Sequence, residues 1–231
     1  MESKEVKRIL YNLGVDLCGI ASINRFDDAP EGFHPCDVLP NCRSVVVIAK
    51  AFPAGTINCK TKVPYTITRN MLSDMLDKLA VQFSIEMERH GIVAVPTGTI
   101  SHTQFDAKTD RYRNIVSAKH CAVAAGLGRI GRNTLVTTPE YGNMIWLSAI
   151  LTNAELESDE LLTGTPCPDN CSLCIDNCPV SALGNSEMDQ RACYGYAFHT
   201  EEGQEFVFKC NKCRTICLNC LGTKNKLTGN I

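Results

Sequence analysis

The sequence predicts an α+β protein in two unequal parts. A mixed domain of helices and strands covers residues 1–155, and a small cysteine-rich module covers 156–231. Segments with helical apolar spacing alternate with short apolar runs through the first 152 residues. Nine of the 14 cysteines then fall between Cys167 and Cys220. Between these regions lies an acidic stretch, residues 153–166, without a single basic residue. A chain of 231 residues is long enough to bury a substantial core.

The elements follow in order. Residues 2–13 put Val6, Ile9, Leu10 and Leu13 on one helical face, and Gly14 ends that helix. Residues 15–21 read as a short strand. Residues 24–42 carry three prolines and several acids and read as loop. Residues 44–52 are an apolar strand, stopped by Pro53 and Gly55. A long helix is expected from about 66 to 90, with Met71, Leu72, Met75, Leu76, Leu79, Phe83 and Met87 as its core face. Gly91 stops it, and 92–95 read as strand. Residues 97–112 are polar and read as loop, and 117–125 as an alanine-rich helix. A glycine block, Gly126-Leu127-Gly128-Arg129-Ile130-Gly131, precedes a strand around 134–137, and residues 143–151 form the last strong strand.

Bulk charge excludes little but points away from two partner classes. The formal net charge is −2 and the pI about 6.2, so no global field draws the chain to nucleic acid or anionic membrane. No apolar run approaches the ~18–20 residues that cross a bilayer, and the first residues lack an apolar signal core. A cytoplasmic protein is expected. In a reducing compartment, clustered cysteines hold metal more often than disulfides.

The cysteines carry the strongest signal. Cys167, Cys171, Cys174 and Cys178, with Pro179 behind, follow the ferredoxin run C-x2-C-x2-C-x3-C-P with one extra residue in the first gap. In that run the fourth cysteine serves a different cluster from the first three. Cys178 is expected at the start of a short helix over 179–183, with Pro179 in its first turn. It then belongs with Cys193, Cys210 and Cys213, while Cys217 completes the set of Cys167, Cys171 and Cys174. The prediction is two [4Fe–4S] clusters. A four-thiolate zinc site built on Cys171, Cys174, Cys210 and Cys213 is one alternative, and a disulfide framework is another. Cys220 is surplus: it either replaces Cys217 or remains a free thiol.

Other motifs are weaker. The block Gly126-x-Gly128-x-x-Gly131 matches the dinucleotide fingerprint as a string, but that fingerprint needs a strand before and a helix after. Here the order is reversed. The block reads instead as a loop where backbone approaches something flat or bulky, or as a plain helix stop. Lys108, Arg111, Arg113, Lys119, Arg129 and Arg132 surround it, either to hold phosphates of a ligand or as a solvated face. His34, His90, His102, His120 and His199 read as ordinary surface or core histidines, with His120 of most interest because it precedes the glycine block. Cys18, Cys36, Cys42, Cys59 and Cys121 read as isolated thiols.

Together these features resemble the epoxyqueuosine reductases and, more distantly, the reductive dehalogenases. The residues that carry the resemblance are 13–21, 43–49, the block 125–133 and the cysteine order through Cys217, and the similarity spans roughly residues 5–220. It implies a nitroreductase-like α/β corrinoid domain beside a ferredoxin-like module with two [4Fe–4S] clusters. It also implies a bound cobalamin, lined by Gly126, Gly128, Arg129, Gly131 and Asn133, that takes electrons from the clusters and reduces a substrate. An unknown low-potential donor would supply those electrons. In the tRNA-modifying members an aspartate near the block is the proton donor. That column holds Tyr112 here, and a tyrosine is the donor in the dehalogenases, so Tyr112 is the candidate catalytic residue. The tryptophan and lysine usual within the block are Arg129 and Arg132. The chain ends eleven residues after Cys220 without a basic extension. The expected partner is therefore a small-molecule corrinoid, with tRNA not expected. The alternative function is a non-catalytic ferredoxin-type electron carrier that docks a redox partner.

Overall fold

The computed structural model describes residues 1–99, 104–107, 109–184, 188–198, 200, 203 and 205–224. Helix α1 (Ser3–Leu13) buries Val6 and Leu10 and closes on Gly14, whose φ of 98° suits a residue without a side chain. Strand β1 (Leu17–Ser22) follows. The expected loop over 24–42 contains a 3-10 turn at Ile23–Phe26 and a short helix, α2 (Pro35–Val38), which His34 caps by accepting from the Cys36 N–H at 3.1 Å. That is the work of His34. Strand β2 (Ser44–Ala51) and helix α3 (Val63–Arg89) come next, then strand β3 (Ala94–Pro96).

Residues 104–106 and 111–113 pair as a small antiparallel hairpin, β4 (Gln104–Asp106) and β5 (Arg111–Arg113), where the polar composition suggested only loop. Helix α4 (Ala118–Ala124) leads into the glycine block, which carries strand β6 (Arg129–Ile130) and folds back on strand β7 (Val136–Thr137). Strand β8 (Ile145–Thr152) ends the mixed part. Three short helices lie among the cysteines: α5 (Leu173–Asp176), α6 (Gln190–Ala197) and α7 (Lys212–Thr215).

The central sheet has the order β1-β2-β8-β3, and every neighbouring pair is antiparallel. Side chains alternate across its faces, as a period of two requires. Val46 and Ile48 face a core shared with Val6 and Leu10 of α1 and Leu76, Ala80, Phe83 and Met87 of α3. Val45 and Val47 face the other core, with Cys121, Ala122 and Ala125 at α4. The result is a helix–sheet–helix arrangement in three layers. It is a mixed α/β fold with an antiparallel sheet.

The expected methionine stripe on α3 requires correction. Met87 is buried, but Met71 is 51% exposed and Met75 42% exposed. The buried face instead runs through Tyr65, Arg69, Leu72, Leu76, Ala80, Phe83 and Met87. Methionine fits either reading in sequence, and the angular position about the helix decides.

The acidic segment after β8 is not a free tether. It runs along the outer edge of β1: Asp159 accepts from the Ile20 N–H at 2.9 Å and donates its own N–H to Ile20 O at 2.9 Å. Ser158 accepts from the Ser22 N–H, and Lys7 pairs with Asp159. A strap of this kind covers the unpaired edge groups of a terminal strand.

A third apolar cluster ties the two ends of the chain together. Phe52, Tyr65, Leu72 and Met144 pack with Phe208 from the cysteine-rich segment. The N–H of Phe208 donates to Thr66 Oγ1 at 3.0 Å, and Lys62 donates to Asn211 at 2.6 Å.

Candidate metal centre

Helix α5 places Cys174 inside the fold, with Cys171 just before it and Cys178 just after. The helix expected over 179–183 is a turn instead. Ser181 takes a φ of 49° and donates its N–H to Cys178 O at 3.1 Å, and the N–H of Ala182 donates to Cys178 Sγ at 3.2 Å. One backbone N–H, that of Ala182, is aimed at the sulfur in place of a helical continuation, which would have used it internally.

One set of four thiols shares a pocket, and four more are electrostatic neighbours of one another. Cys167, Cys171, Cys174 and Cys217 line one pocket, closed by Leu173 and Leu218. Burial pushes the Cys174 thiol up, and its charged neighbours are Cys167 and Cys217. Cys217 is pushed up by burial as well, with Cys167 and Cys171 as its neighbours. In the second group burial raises Cys193 to about 11, with Cys213, Cys210 and Cys178 adding to it in turn. Cys213 rises to about 11 for the same first reason, with Arg214 opposing and Cys210, Cys174 and Cys178 adding. Cys174 is thus an electrostatic neighbour of Cys213 across the two sets. Cys220 is coupled to Cys217, and its thiol too is raised chiefly by burial.

The donor set is all thiol, the ligand chemistry of iron–sulfur clusters and also of four-thiolate zinc sites. Among the described residues, no three His, Cys, Asp or Glu side chains converge closely enough for one metal ion. A cubane spreads its four thiolates over a wider perimeter than a lone zinc does. All 14 cysteines are free thiols.

The mixed domain meets this module through polar groups, of which Asn133, Asn143 and Arg214 are buried. Asn133 Nδ2 donates to Cys213 O at 3.0 Å, and Asn143 Nδ2 donates to Arg214 O at 3.3 Å. Arg214 donates back to Asn143 O. Lys119 donates to Thr134 O at 2.8 Å and faces Cys213, while burial lowers its pKa. Arg132 donates its N–H to Cys167 Sγ at 3.3 Å and its guanidinium to Cys171 O at 2.7 Å.

The glycine block does several jobs. Gly126, at a φ of 70°, presses its bare Cα against the backbone of Glu160 in the strap. A Cβ on Gly128 would lie 2.6 Å from Thr137 O. On Gly131 it would lie 3.4 Å from Cys167 Sγ and 3.1 Å from Asn133 Oδ1. Gly131 and Asn133 therefore border the thiol pocket, whereas Gly126 and Gly128 give their space to protein backbone. Arg129 donates to Leu162 O at 3.1 Å, again in the strap. Arg113 pairs with Asp106 at 3.4 Å and covers the Phe33 ring. The basic residues around the block are thus engaged by protein, save Lys108, which lies outside the described residues.

Tyr112 stands on β5, stacked on Tyr194 with ring centroids 4.6 Å apart. Tyr194 directly follows Cys193, so Tyr112 is one ring removed from the second thiol group. Tyr194 continues to Phe198 and then Phe208. At the end of this array Arg69 lies between Trp146 and Phe208, at 5.3 and 4.7 Å from their centroids. Arg69 is only 9% exposed, and its Nε has no hydrogen-bond partner among the described residues. Burial lowers its pKa. Sequence reading missed Arg69, although a lone arginine on the apolar face of a helix was a visible signal. It also missed Asn143, which no motif marks. Of the histidines, His120 pairs with Ser117 at the start of α4 (2.7 Å), while His102 and His199 lie outside the described residues.

No protein-family model matches the chain. A curated protein from Staphylococcus aureus (strain NCTC 8325 / PS 47), an epoxyqueuosine reductase, is 24% identical over 94% of this chain. Its curated homologues are epoxyqueuosine reductases. The chain spans 65% of that relative's length. A solved epoxyqueuosine reductase with an epoxyqueuosine-modified tRNA-Tyr stem loop matches 95% of this chain and 65% of its own, at a TM-score of 0.66 and 22% identity. A reductive dehalogenase whose structure bears on B12-dependent dehalogenation matches 92% of this chain and 30% of its own, at a TM-score of 0.69 and 16% identity. The homologues are oxidoreductases by name, and both solved structures share the fold. The expectation that excluded tRNA is overturned by the reductase carrying a tRNA stem loop. Bulk charge and the length of a terminal segment were poor guides, because a folded RNA can be held by local contacts without a net basic chain. Among the described residues no helix is long and apolar enough to cross a membrane.

Proposed function

We propose that the chain is an iron–sulfur oxidoreductase of the epoxyqueuosine reductase kind, with a modified tRNA stem loop as its substrate class. What supports this is the pocket that Cys167, Cys171, Cys174 and Cys217 share, with Cys178, Cys210 and Cys213 as the electrostatic neighbours of Cys193. Cys167, Cys171, Cys174 and Cys217 would hold one [4Fe–4S] cluster, and Cys178, Cys193, Cys210 and Cys213 the other. Residues 156–231 then act as a ferredoxin-like module and residues 1–155 as the domain that positions cofactor and substrate, in the cytoplasm. When bound, the clusters would supply single-electron transfer, and a cobalamin would supply a low-potential centre for reduction of the substrate.

The chain's own residues do the rest. Arg132 and Ala182 aim backbone N–H groups at Cys167 and Cys178, which favours the more negative, reduced state of each group. Cys174 and Cys213, one from each set, are electrostatic neighbours and would lie between the two clusters. Gly131 and Asn133 border the first thiol pocket, where the mixed domain would meet a bound group, whereas Gly126, Gly128 and Arg129 hold the loop to the strap and β7. Removal of an epoxide oxygen consumes two electrons and two protons and releases water, so a proton source is required. The Tyr112 hydroxyl is the proposed donor, held by its stack on Tyr194.

Metal analysis after anoxic purification tests the cluster assignment: about eight iron and eight sulfide per chain are expected. One zinc with no iron overturns it. A second reading, an electron carrier without corrinoid, is favoured by the way Gly126 and Gly128 are filled by backbone. Anoxic reconstitution with hydroxocobalamin separates the two, since retained corrinoid absorbance is expected of the reductase and none of the carrier. Loss of the epoxide oxygen from a modified stem loop, followed by mass spectrometry, tests the substrate.

A further inference from the structure

The outward face of α3 carries a pattern that its own core does not use. Ile67, Met71, Val81 and Ile85 are 58, 51, 47 and 48% exposed. Between them lie exposed Asp74 and Lys78. Along the helix these six residues, Ile67, Met71, Asp74, Lys78, Val81 and Ile85, follow alternating steps of four and three residues. That is the heptad seam of one helix packing along another, and soluble proteins rarely leave such a seam open.

The seam is also symmetric about position 76. Ile67 mirrors Ile85, Met71 mirrors Val81, and Asp74 mirrors Lys78. Two copies of α3 laid antiparallel would set apolar residue against apolar residue in the outer layers. In the middle, each Asp74 would meet the other copy's Lys78, twice over. A two-fold interface demands this reciprocity, in which residue i meets j and j meets i. The charged central layer would also fix register, because a slip by one heptad places Asp74 or Lys78 against an apolar side chain. The parallel arrangement would instead set like charges against each other.

We infer that α3 is a homodimerisation face, and that its occupant is a second copy of this chain packed antiparallel through Ile67, Met71, Asp74, Lys78, Val81 and Ile85. The seam spans about 27 Å of helix. All six side chains lie away from the sheet, so substituting them leaves the core untouched.

Sedimentation equilibrium of the anoxically purified full chain is the test. A monomer–dimer equilibrium is expected. Met71→Lys and, separately, Asp74→Lys should each weaken it about tenfold or more, the latter by placing four positive charges in the central layer. The double variant Asp74→Lys with Lys78→Asp should restore it, since the pairs are reversed but remain opposite. Circular dichroism checks that each variant is folded. A monomer at every concentration up to about 0.1 mM overturns the inference. So does a dimer that survives Met71→Lys, or a double variant that stays as weak as Asp74→Lys alone.

Discussion

The backbone N–H of Arg132 donates to Cys167 Sγ across 3.3 Å, so the last turn of the glycine block and the first cysteine of the module share one hydrogen bond. A Cβ at Gly131 would sit in ordinary contact with the same sulfur at 3.4 Å but tight against Asn133 Oδ1 at 3.1 Å, so a side chain there would push on Asn133 beside this contact.

Gly131→Ala should therefore loosen this contact while leaving the fold in place. The expected outcome is a shift on the order of tens of millivolts in the potential of the first cluster, with the second unchanged. Redox titration followed by EPR reads both. Equal shifts in the two would place Gly131 outside the role given to it.

Cys178→Ser should remove the second cluster and spare the first. Iron should fall to about half, near four per chain, and EPR of the reduced variant should retain the signal of the first group. Loss of that signal instead would reverse the assignment of Cys178.

Phe83 joins α3 to the sheet and has no exposed surface. Phe83→Ala should cost about 3–5 kcal/mol of stability, as a large cavity in a packed core does. Denaturant unfolding of the variant beside the parent protein measures it.

Burial raises the Cys121 thiol from 9.0 to about 12. The folded state thus keeps this proton where the unfolded chain has lost it. The contribution is complete below pH 9 and is lost as pH rises from 9 towards 12, by at most about 1.4 kcal/mol per pH unit. Thermal melts from pH 8 to 11 should show a steeper alkaline decline in the parent than in Cys121→Ala. Parallel curves would remove Cys121 from the explanation.

Much of the framework was legible before any coordinates. The apolar spacing of α1, β2 and β8, the glycine stops after α1 and α3, and the ferredoxin order of the cysteines each depend on local rules. Backbone propensity and side-chain period act over a few residues, so a linear string carries them. The hairpin β4–β5 escaped because its pairing is held by partners distant in sequence, such as Gln190, which accepts from the Tyr112 N–H at 2.7 Å.

What the sequence by itself determined, then, was which residues form the central strands and long helices and which thiols are present at useful spacing. Tertiary structure alone decided that Met71 and Met75 face outward, that 179–183 turns to aim an N–H at Cys178, and that Gly126 and Gly128 serve the strap and β7. It alone brought buried Arg69 between Trp146 and Phe208. The physical reason is that burial and sulfur contacts depend on which surfaces meet. That choice is made by the packing of the whole chain and is not encoded in any single window.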